Sequence, residues 1–422
     1  MLAYIPFIYF TCWLIRHLSN PNMRFGAGGM ALLWIDISAL FSILIDIRDV
    51  YGQFGCNEYS LSWVGVLLYC ALWTIILIPL LKLDQVGIEI QPVEGKQTLF
   101  KFICIFLIIC MFIHMAVAGS ISSIKEQLVM DLSDAYSEKL SKDTYSGGAG
   151  AIWQWIPNIV SLFTPLYLLC WFISITICKQ SKLINSLLLL SSALGMIVGF
   201  VGGGRAALLW WIITFLVYLF LFKRNLSPVQ LKRIRLTFIV FAGCAFLGIV
   251  LITVARFEDG ISYALDSFIG YAGQQVNNFC AFLPHADFFH LYPDRIFPLY
   301  QYVVKHQSYD MIEFYSYLSS LYPIKMNVFF TVFGGLLVDT GFLGLFTFLI
   351  LYLLATRYLH YSIHNELTIP YLFVLSLIFC IPIRGLFGWP FTNYHNTLYI
   401  FFSIGLLLCF KYNIKYGRKT II

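Results

Sequence analysis

The sequence predicts an all-α fold, a polytopic bundle of about eleven transmembrane helices with one large external loop. The first observation is composition: 60% of the residues are hydrophobic and 11% are charged, whereas a soluble domain carries roughly 25% charged residues. The second is the length of the continuous apolar runs, which approach the ~20 residues that a helix needs to cross a bilayer. The third is the uneven distribution of Lys and Arg among the loops.

Eleven apolar segments are predicted to span the membrane. They cover residues 2–15, 25–45, 61–81, 99–119, 153–177, 183–201, 206–222, 236–255, 327–355, 369–383 and 397–410. The longest interruption is 256–326, the predicted external loop, which contains four basic residues, seven acidic residues and three histidines. There is no internal repeat and no linker long enough to separate domains. Residues 1–422 are therefore expected to form a single integral membrane domain.

The orientation follows from the basic residues of alternate loops. One set of loops contains 17 of the 27 Lys and Arg residues and is assigned to the cytoplasm by the positive-inside rule. The other set contains ten, spread over longer loops, and is assigned to the outside. The N-terminus is then external and the C-terminus cytoplasmic; a re-entrant first segment would move only the N-terminus inside.

Composition also excludes several classes of site. The net charge of +6 comes from short loops and does not predict a nucleic-acid groove. Most of the eleven cysteines lie in or beside apolar runs without metal-binding spacing, which is typical of small apolar side chains. No basic region precedes the first apolar run, so a cleavable signal is not expected. No metal site and no cofactor are predicted.

Three arginines at the outer ends of spans indicate an anionic ligand. Arg205, Arg256 and Arg384 lie where spans meet the outer face, and Arg295 lies in the external loop. Guanidinium groups match phosphate because they remain charged and donate two parallel hydrogen bonds. The alternative is that each side chain simply reaches the interface from an apolar helix. A cluster at the less basic face favours a pyrophosphate site.

Arg205 has the most informative neighbours. Gly202, Gly203 and Gly204 precede it and allow a close approach of the backbone to a ligand. The next span begins at Ala206, so its N-terminal amides and positive dipole end would face the same ligand. A tight turn whose glycines only permit helix packing is the alternative.

Three stretches, in order along the second half of the chain, resemble a known family. GGGRAALLWWIITFLVY is similar to the Gly-Arg signature of Wzy-type O-antigen and capsule oligosaccharide repeat-unit polymerases. DSFIGYAGQQVNNFCAFLP is similar to the family's Tyr-x-Gly element before a short helix. NVFFTVFGGLLVDTGFLGLFTFLILYLL is similar to its span with an Asn, a Thr and an Asp-x-Gly-x-x-Gly run, here Asn327, Thr331, Asp339, Gly341 and Gly344. The first half of the chain matches only in hydropathy.

The resemblance implies a glycosyltransferase of GT-C-like architecture in the bacterial cytoplasmic (inner) membrane, with its active site on the outer, periplasmic face. It would polymerise undecaprenyl-pyrophosphate-linked repeat units into an O-antigen, capsule or exopolysaccharide. Its partners would be the lipid-linked donor and acceptor glycans, membrane lipid, a chain-length regulator and a flippase, with no nucleic acid. Such enzymes work without metal, so fixed cations and amides must stabilise the leaving pyrophosphate. Those roles fall to Arg205, Arg256, Arg384 and Gly202–Gly204.

An acceptor hydroxyl also needs a general base. The candidates are His285, His290 and Glu258, with His285 preferred and Asp287 placed to orient one of the histidines. The alternative for each histidine is a hydrogen-bonded loop residue without a catalytic role. Asp339, inside a span, is expected to face the bundle interior. The residues predicted to contact glycan are Tyr271, Tyr292, Asn393 and His395.

Two other functions compete with polymerisation. A flippase for lipid-linked oligosaccharide would share the membrane and the arginines, but transporters usually have related halves and helices broken near mid-membrane. Neither feature is evident in the sequence. An O-antigen-ligase-like transferase would use the same donor and a different acceptor, and the sequence does not separate it from a polymerase.

Overall fold

A computed structural model describes residues 2–51, 57, 61–85, 89–91, 96–118, 160, 163–201, 205–256, 261–292, 311–326, 328, 330–363, 366–391 and 394–417. Within these residues the protein is a helical bundle with one small sheet. The first helices are α1 (Tyr4–Ser19), α2 (Ala27–Arg48), α3 (Trp63–Leu81), α4 (Gln97–Ala118), α5 (Thr164–Thr176), α6 (Lys182–Val201) and α7 (Arg205–Phe222). The remaining ones are α8 (Pro228–Arg256), α9 (Ile261–Phe282), α10 (Met311–Leu321), α11 (Thr331–Ile363), α12 (Ile369–Arg384) and α13 (Tyr394–Gly417). The strands are β1 (Glu89–Gln91) and β2 (Glu366–Thr368).

Each of the eleven predicted spans overlaps a helix. Of the described helical segments, five are long and apolar enough to cross a bilayer: Ala27–Arg48, Trp63–Asp84, Gln97–Ala116, Ala207–Asn225 and Thr331–Ser362. The other overlapping helices include shorter apolar ones. Large apolar side chains such as Val64, Phe102 and Leu236 are mostly exposed, as expected where a surface faces lipid rather than water. Buried aromatic rings, among them Trp73, Tyr167 and Trp211, fill the core between α2, α3, α5, α7 and α12.

Several loops of the set that contains 17 of the 27 Lys and Arg residues meet at one end of the bundle, here called the basic end. There β1 and β2 pair in parallel, with Ile90 opposite Leu367. The Arg224 guanidinium donates to the Gln85 carbonyl at 3.3 Å, and the Lys96 ammonium donates to the Phe410 carbonyl at 3.0 Å. Burial lowers the pKa of Lys96. These bonds join connections that are far apart in sequence, so one cap closes this end.

Asp84 of this cap holds the start of α2. Its carboxylate accepts the Gly28 amide at 3.0 Å and the Gly29 amide at 2.6 Å, and the His17 ring nitrogen Nε2 lies 3.1 Å away. A carboxylate satisfies the free amides of a helix N-terminus and complements its dipole. A Cβ at position 28 would lie 2.3 Å from the Leu80 carbonyl oxygen. Glycine therefore allows α2 to start directly against the end of α3.

The segment predicted as an external loop differs most from expectation. Its residues Ile261–Phe282 form α9, which packs along α2, and residues 267, 269, 270 and 273–282 are buried. An ion pair between Arg48 and Asp266 joins the end of α2 to the beginning of α9. Hydropathy missed this helix because Gln and Asn side chains lower the average of an otherwise apolar segment. Residues 257–260 and 293–310 of the predicted loop lie outside the described residues.

Candidate functional site

Helix α11 is broken at Gly341. This residue has φ +67° and ψ −167°, a conformation that is essentially restricted to glycine. The break divides α11 into a short half-helix, residues 331–340, and a long half-helix, residues 342–363. A straight helix would separate Phe333 from Tyr352 by ~28 Å. Both instead reach one turn of α3: the Phe333 ring lies 4.9 Å from the Trp73 ring, and the Tyr352 hydroxyl donates to the Ile76 carbonyl at 2.7 Å. The chain therefore turns sharply at Gly341.

The segment after α9 satisfies the amides that the break exposes. The Phe342 N–H donates to the Asp287 carbonyl at 3.1 Å, and the Leu343 N–H donates to the Phe288 carbonyl at 3.0 Å. A Cβ at Gly341 would lie 2.6 Å from that Asp287 oxygen. A helix end inside a membrane protein needs such partners because unpaired amides are costly there. The N-terminus of the long half-helix is thus occupied by this chain.

The same segment satisfies the end of the short half-helix. The Tyr292 N–H donates to the Asp339 carbonyl at 2.9 Å, and the His290 ring nitrogen Nε2 lies 2.7 Å from the Val338 carbonyl oxygen. Asp339 itself is fully buried, as expected from its place inside a span. Residues 286–292, which we call the clamp segment, therefore hold both sides of the break together.

The contact with Val338 assigns the tautomer of His290. A carbonyl oxygen only accepts hydrogen bonds, so Nε2 must carry the proton and Nδ1 is left with a lone pair in the neutral ring. Nδ1 is buried, makes no hydrogen bond to a described residue and lies 3.7 Å from the Asp287 carboxylate. A protonated ring would form an ion pair with that carboxylate. Nδ1 is thus placed to take up a proton beside a negative charge.

His285, the preferred base, has a different environment. It ends a short 3₁₀ turn, Leu283–His285, and its ring packs against Tyr322 at 6.3 Å between centroids. The ion pair of Asp287 that the structure shows is with His290, three residues later. Of the two histidines, His290 is the one that the described geometry equips with a carboxylate.

Tyrosines surround the clamp segment. The Tyr292 ring lies 5.2 Å from the His290 ring and 6.5 Å from the Tyr317 ring. Burial, followed by the neighbouring Tyr322 and Tyr317 hydroxyls, raises the pKa of Tyr292 to about 12. Burial and then the Asp287 carboxylate also raise the pKa of Tyr322. These hydroxyls remain protonated donors at neutral pH, next to ring faces that suit contact with a sugar.

Helix α9, which precedes the clamp segment, carries buried side-chain amides. Four polar side chains on it are buried within a short run: Gln274, Gln275, Asn277 and Asn278. The Asn57 side-chain nitrogen Nδ2 donates to the Asn278 side-chain oxygen Oδ1 at 3.0 Å, while Asn57 Oδ1 accepts the Lys325 backbone N–H at 2.9 Å. The Ser38 hydroxyl lies 3.2 Å from Gln275 Oε1. Polar groups inside a membrane bundle mark functional sites by default because burying them is expensive.

Arg384 occupies an aromatic environment at the end of α12. Its guanidinium lies 5.0 Å from the Trp210 ring centroid, within range of a cation–π interaction. The Phe387 ring contacts three neighbours, Trp210 at 6.4 Å, Tyr271 at 5.4 Å and Trp34 at 6.2 Å. Arg384 and Tyr271, predicted separately as pyrophosphate and glycan contacts, therefore share one aromatic cluster.

Helix α7 begins at Arg205, five residues before Trp210, or ~7.5 Å along the axis. The first turns of α7 therefore carry Trp210, the aromatic residue that contacts Arg384. The side chain of Arg205 lies outside the described residues, as do Gly202–Gly204 and Glu258. Arg256 is the last residue of α8 and His395 lies in α13. The side chains of these two residues, and the whole of Asn393, also lie outside the described part of the structure.

The short half-helix connects the two clusters. It begins at Thr331, whose φ of +71° is strained for a β-branched residue. The Val332 N–H donates to the carbonyl of Gly385, the neighbour of Arg384. Asp339, eight residues after Thr331 and ~12 Å along the helix, meets the clamp segment. Left-handed backbone at both ends of one short helix is typical of a functional site.

Sequence reasoning missed three of these features: the break at Gly341, the carbonyl contact of His290 and the buried amides of α9. The signals were present as an Asp-Thr-Gly run within an apolar stretch and as QQVNN within α9. Comparison with protein-family models, curated proteins and solved structures finds no match to this chain.

Proposed function

We propose that the chain is a membrane glycosyltransferase that polymerises undecaprenyl-pyrophosphate-linked oligosaccharide repeat units on the outer face of the cytoplasmic membrane. The motifs of the sequence suggest this function. The observation that supports it best is the broken helix: Thr331, Asp339 and Gly341 of the resembling stretch lie at the two ends of one short half-helix. A charged cluster lies at each end, Arg384 at one and His290 with Asp287 at the other.

In the proposed reaction, an acceptor sugar hydroxyl attacks the anomeric carbon of the donor glycan. The new C–O bond forms as the bond to pyrophosphate breaks, and undecaprenyl pyrophosphate leaves with the bonding electrons. Because Nδ1 of His290 is buried in the free chain, binding of the acceptor has to uncover it. The hydroxyl proton then passes to Nδ1, where the Asp287 carboxylate stabilises the resulting cation. His290 replaces His285 as our preferred base because its ring is oriented by Val338.

The leaving pyrophosphate needs compensating positive charge in a site without metal. Arg384 is assigned to this role, with the start of α7 at Arg205 and the end of α8 at Arg256 as further contributors. The cation–π contact with Trp210 helps to position the Arg384 guanidinium, a group that can donate two parallel bonds to phosphate oxygens. Tyr271 and Tyr292 supply aromatic faces and hydroxyls for the sugars.

The broken helix also favours a transport function, because discontinuous helices line the substrate sites of many transporters. A ligase would need the same donor site as a polymerase. Surface glycan from a deletion strain distinguishes the three functions. Cores capped with single repeats are expected if the chain is a polymerase. Loss of all repeats would indicate a flippase, and polymer that remains unattached would indicate a ligase; either result overturns the proposal.

A further inference from the structure

A large groove lies between α1 and α3, away from the site above. It has a volume of about 850 Å³, and its lining follows α1 from Ile5 past Arg16 to Asn20. The Tyr9 hydroxyl bonds the Thr74 hydroxyl at 2.8 Å and joins the two helices across it. Ile8 and Ile78 are 55% and 44% exposed, so the groove opens on the apolar outer surface of the bundle.

The part of the groove between Ile5 and Arg16 is as long as half of a bilayer. From Ile5 to Arg16 is eleven residues along α1, or ~16 Å, and one leaflet contributes ~15 Å of the ~30 Å hydrocarbon core. An acyl chain laid along α1 would therefore start at the basic end and reach the middle of the membrane. The lining is apolar over most of this length, apart from the paired Tyr9 and Thr74 hydroxyls, and becomes cationic near the basic end.

The charge at the polar mouth has one sign. Arg16 and Lys82 line it and are both exposed. His17 also lines it, but its Nε2 faces the buried Asp84 carboxylate at 3.1 Å. No acidic residue is among the described residues that line the groove. Two cations at the headgroup level, next to an apolar groove of leaflet length, are complementary to an anionic lipid.

We propose that this groove binds an anionic glycerophospholipid from the leaflet at the basic end, with its phosphate between Arg16 and Lys82 and one acyl chain against Ile8 and Trp13. Each basic residue near an anionic lipid surface favours binding by about 1 kcal/mol, or about fivefold. Removal of both charges should therefore weaken binding of an anionic lipid more than tenfold and leave a zwitterionic lipid unaffected.

Native mass spectrometry of the detergent-solubilised full chain tests the proposal. The probes are phosphatidylglycerol and phosphatidylcholine, titrated separately. The wild-type chain should bind phosphatidylglycerol at least about tenfold more tightly, and Arg16→Gln/Lys82→Gln should abolish that preference. The matched control is Lys232→Gln/Arg235→Gln, which removes two exposed charges from α8 at the same end but outside the groove. Equal affinity for both lipids, or an equal loss in the control, would overturn the proposal.

Fluorescence quenching locates the lipid. Trp13 lines the groove, so brominated phosphatidylglycerol should quench the tryptophan fluorescence of the wild-type chain more than that of the Trp13→Phe variant. When the same Trp13→Phe comparison is made in the Arg16→Gln/Lys82→Gln background, the difference in quenching should be much smaller. Equal quenching of wild type and Trp13→Phe would place the lipid elsewhere and contradict the assignment.

Discussion

At the scale of single residues, His290 has two tasks that belong to different ring nitrogens. Nε2 donates to the Val338 carbonyl and holds the clamp segment, while Nδ1 faces Asp287 and makes no hydrogen bond to a described residue. A glutamine amide nitrogen occupies nearly the place of Nε2 but cannot accept a proton. Substitution by glutamine therefore separates the structural task from the chemical one.

We predict that His290→Gln loses activity by about a hundredfold or more, within the usual range for a general base, while the thermal unfolding temperature stays close to that of wild type. The measurement is polymer formation from purified lipid-linked repeat units, together with the unfolding temperature. His285→Gln is the matched control and should retain most activity. A fully active His290→Gln enzyme would return the role of base to His285 or Glu258.

Tyr292 leads to a prediction about alkaline pH. Its pKa in the folded protein is about 12, raised by burial, against an ordinary value of 10.0. Between these values the folded chain keeps a proton that the unfolded chain loses, so stability falls as pH rises from about 10 to 12 and is unaffected below.

Tyr292→Phe should remove part of this loss and flatten the fall of the unfolding temperature between about pH 10 and 12. The experiment compares melting curves of the two proteins across that range. Tyr361→Phe, which removes a mostly exposed hydroxyl from the far end of α11, is the control. Parallel curves for Tyr292→Phe and wild type would show that the Tyr292 hydroxyl is not buried as described.

At the scale of elements, the break in α11 depends on a single glycine. The long half-helix, residues 342–363, is ~33 Å long, which is enough to cross the bilayer without the short half-helix. The short half-helix is thereby released to lie beside α12 and α3, where Val332 bonds Gly385 and Phe333 packs on Trp73.

Gly341→Ala should destabilise the protein by about 2 kcal/mol or more, because this backbone conformation costs an L-residue ~1–3 kcal/mol and its Cβ would press on the Asp287 carbonyl. Polymer synthesis should fall by more than the loss of folded protein explains, since the clamp segment is displaced. Gly243→Ala is the matched control: no described atom lies within 4 Å of the position that its methyl group would take, and alanine favours a helix by ~0.5–1 kcal/mol. Melting temperature and polymer synthesis are measured for both. Equal behaviour of the two variants would contradict the break.

At the scale of the whole molecule, the bundle has two chemically different ends. The basic end is closed by β1, β2 and bonds such as that of Arg224 to Gln85. At the opposite ends of the helices lie the Arg48–Asp266 pair, the Asn57–Asn278 contact and Arg384. From the charge bias we predict that the basic end faces the cytoplasm.

Cysteine labelling with a membrane-impermeant reagent checks this orientation. Ser319→Cys, exposed on α10, should be labelled in intact cells, whereas Lys232→Cys, exposed on α8, should be labelled only after permeabilisation. The unsubstituted chain controls for its own cysteines, of which Cys12, Cys244 and Cys409 are exposed among the described residues. Labelling of Lys232→Cys from outside would invert the topology and place the candidate site in the cytoplasm.

Hydropathy alone was enough to predict the helical class and the position of the apolar segments, because burial in lipid demands long apolar runs. The sequence also identified residues that the structure places in the candidate site, including Arg384, Tyr271, Tyr292 and Asp339. The packing of α9 inside the bundle could not be predicted in this way, since it depends on the bonds of Gln275 to Ser38 of α2 and of Asn278 to Asn57. The break at Gly341 was decided by the tertiary structure too, because a glycine within an apolar run is compatible with a continuous helix until another segment supplies partners for its freed amides.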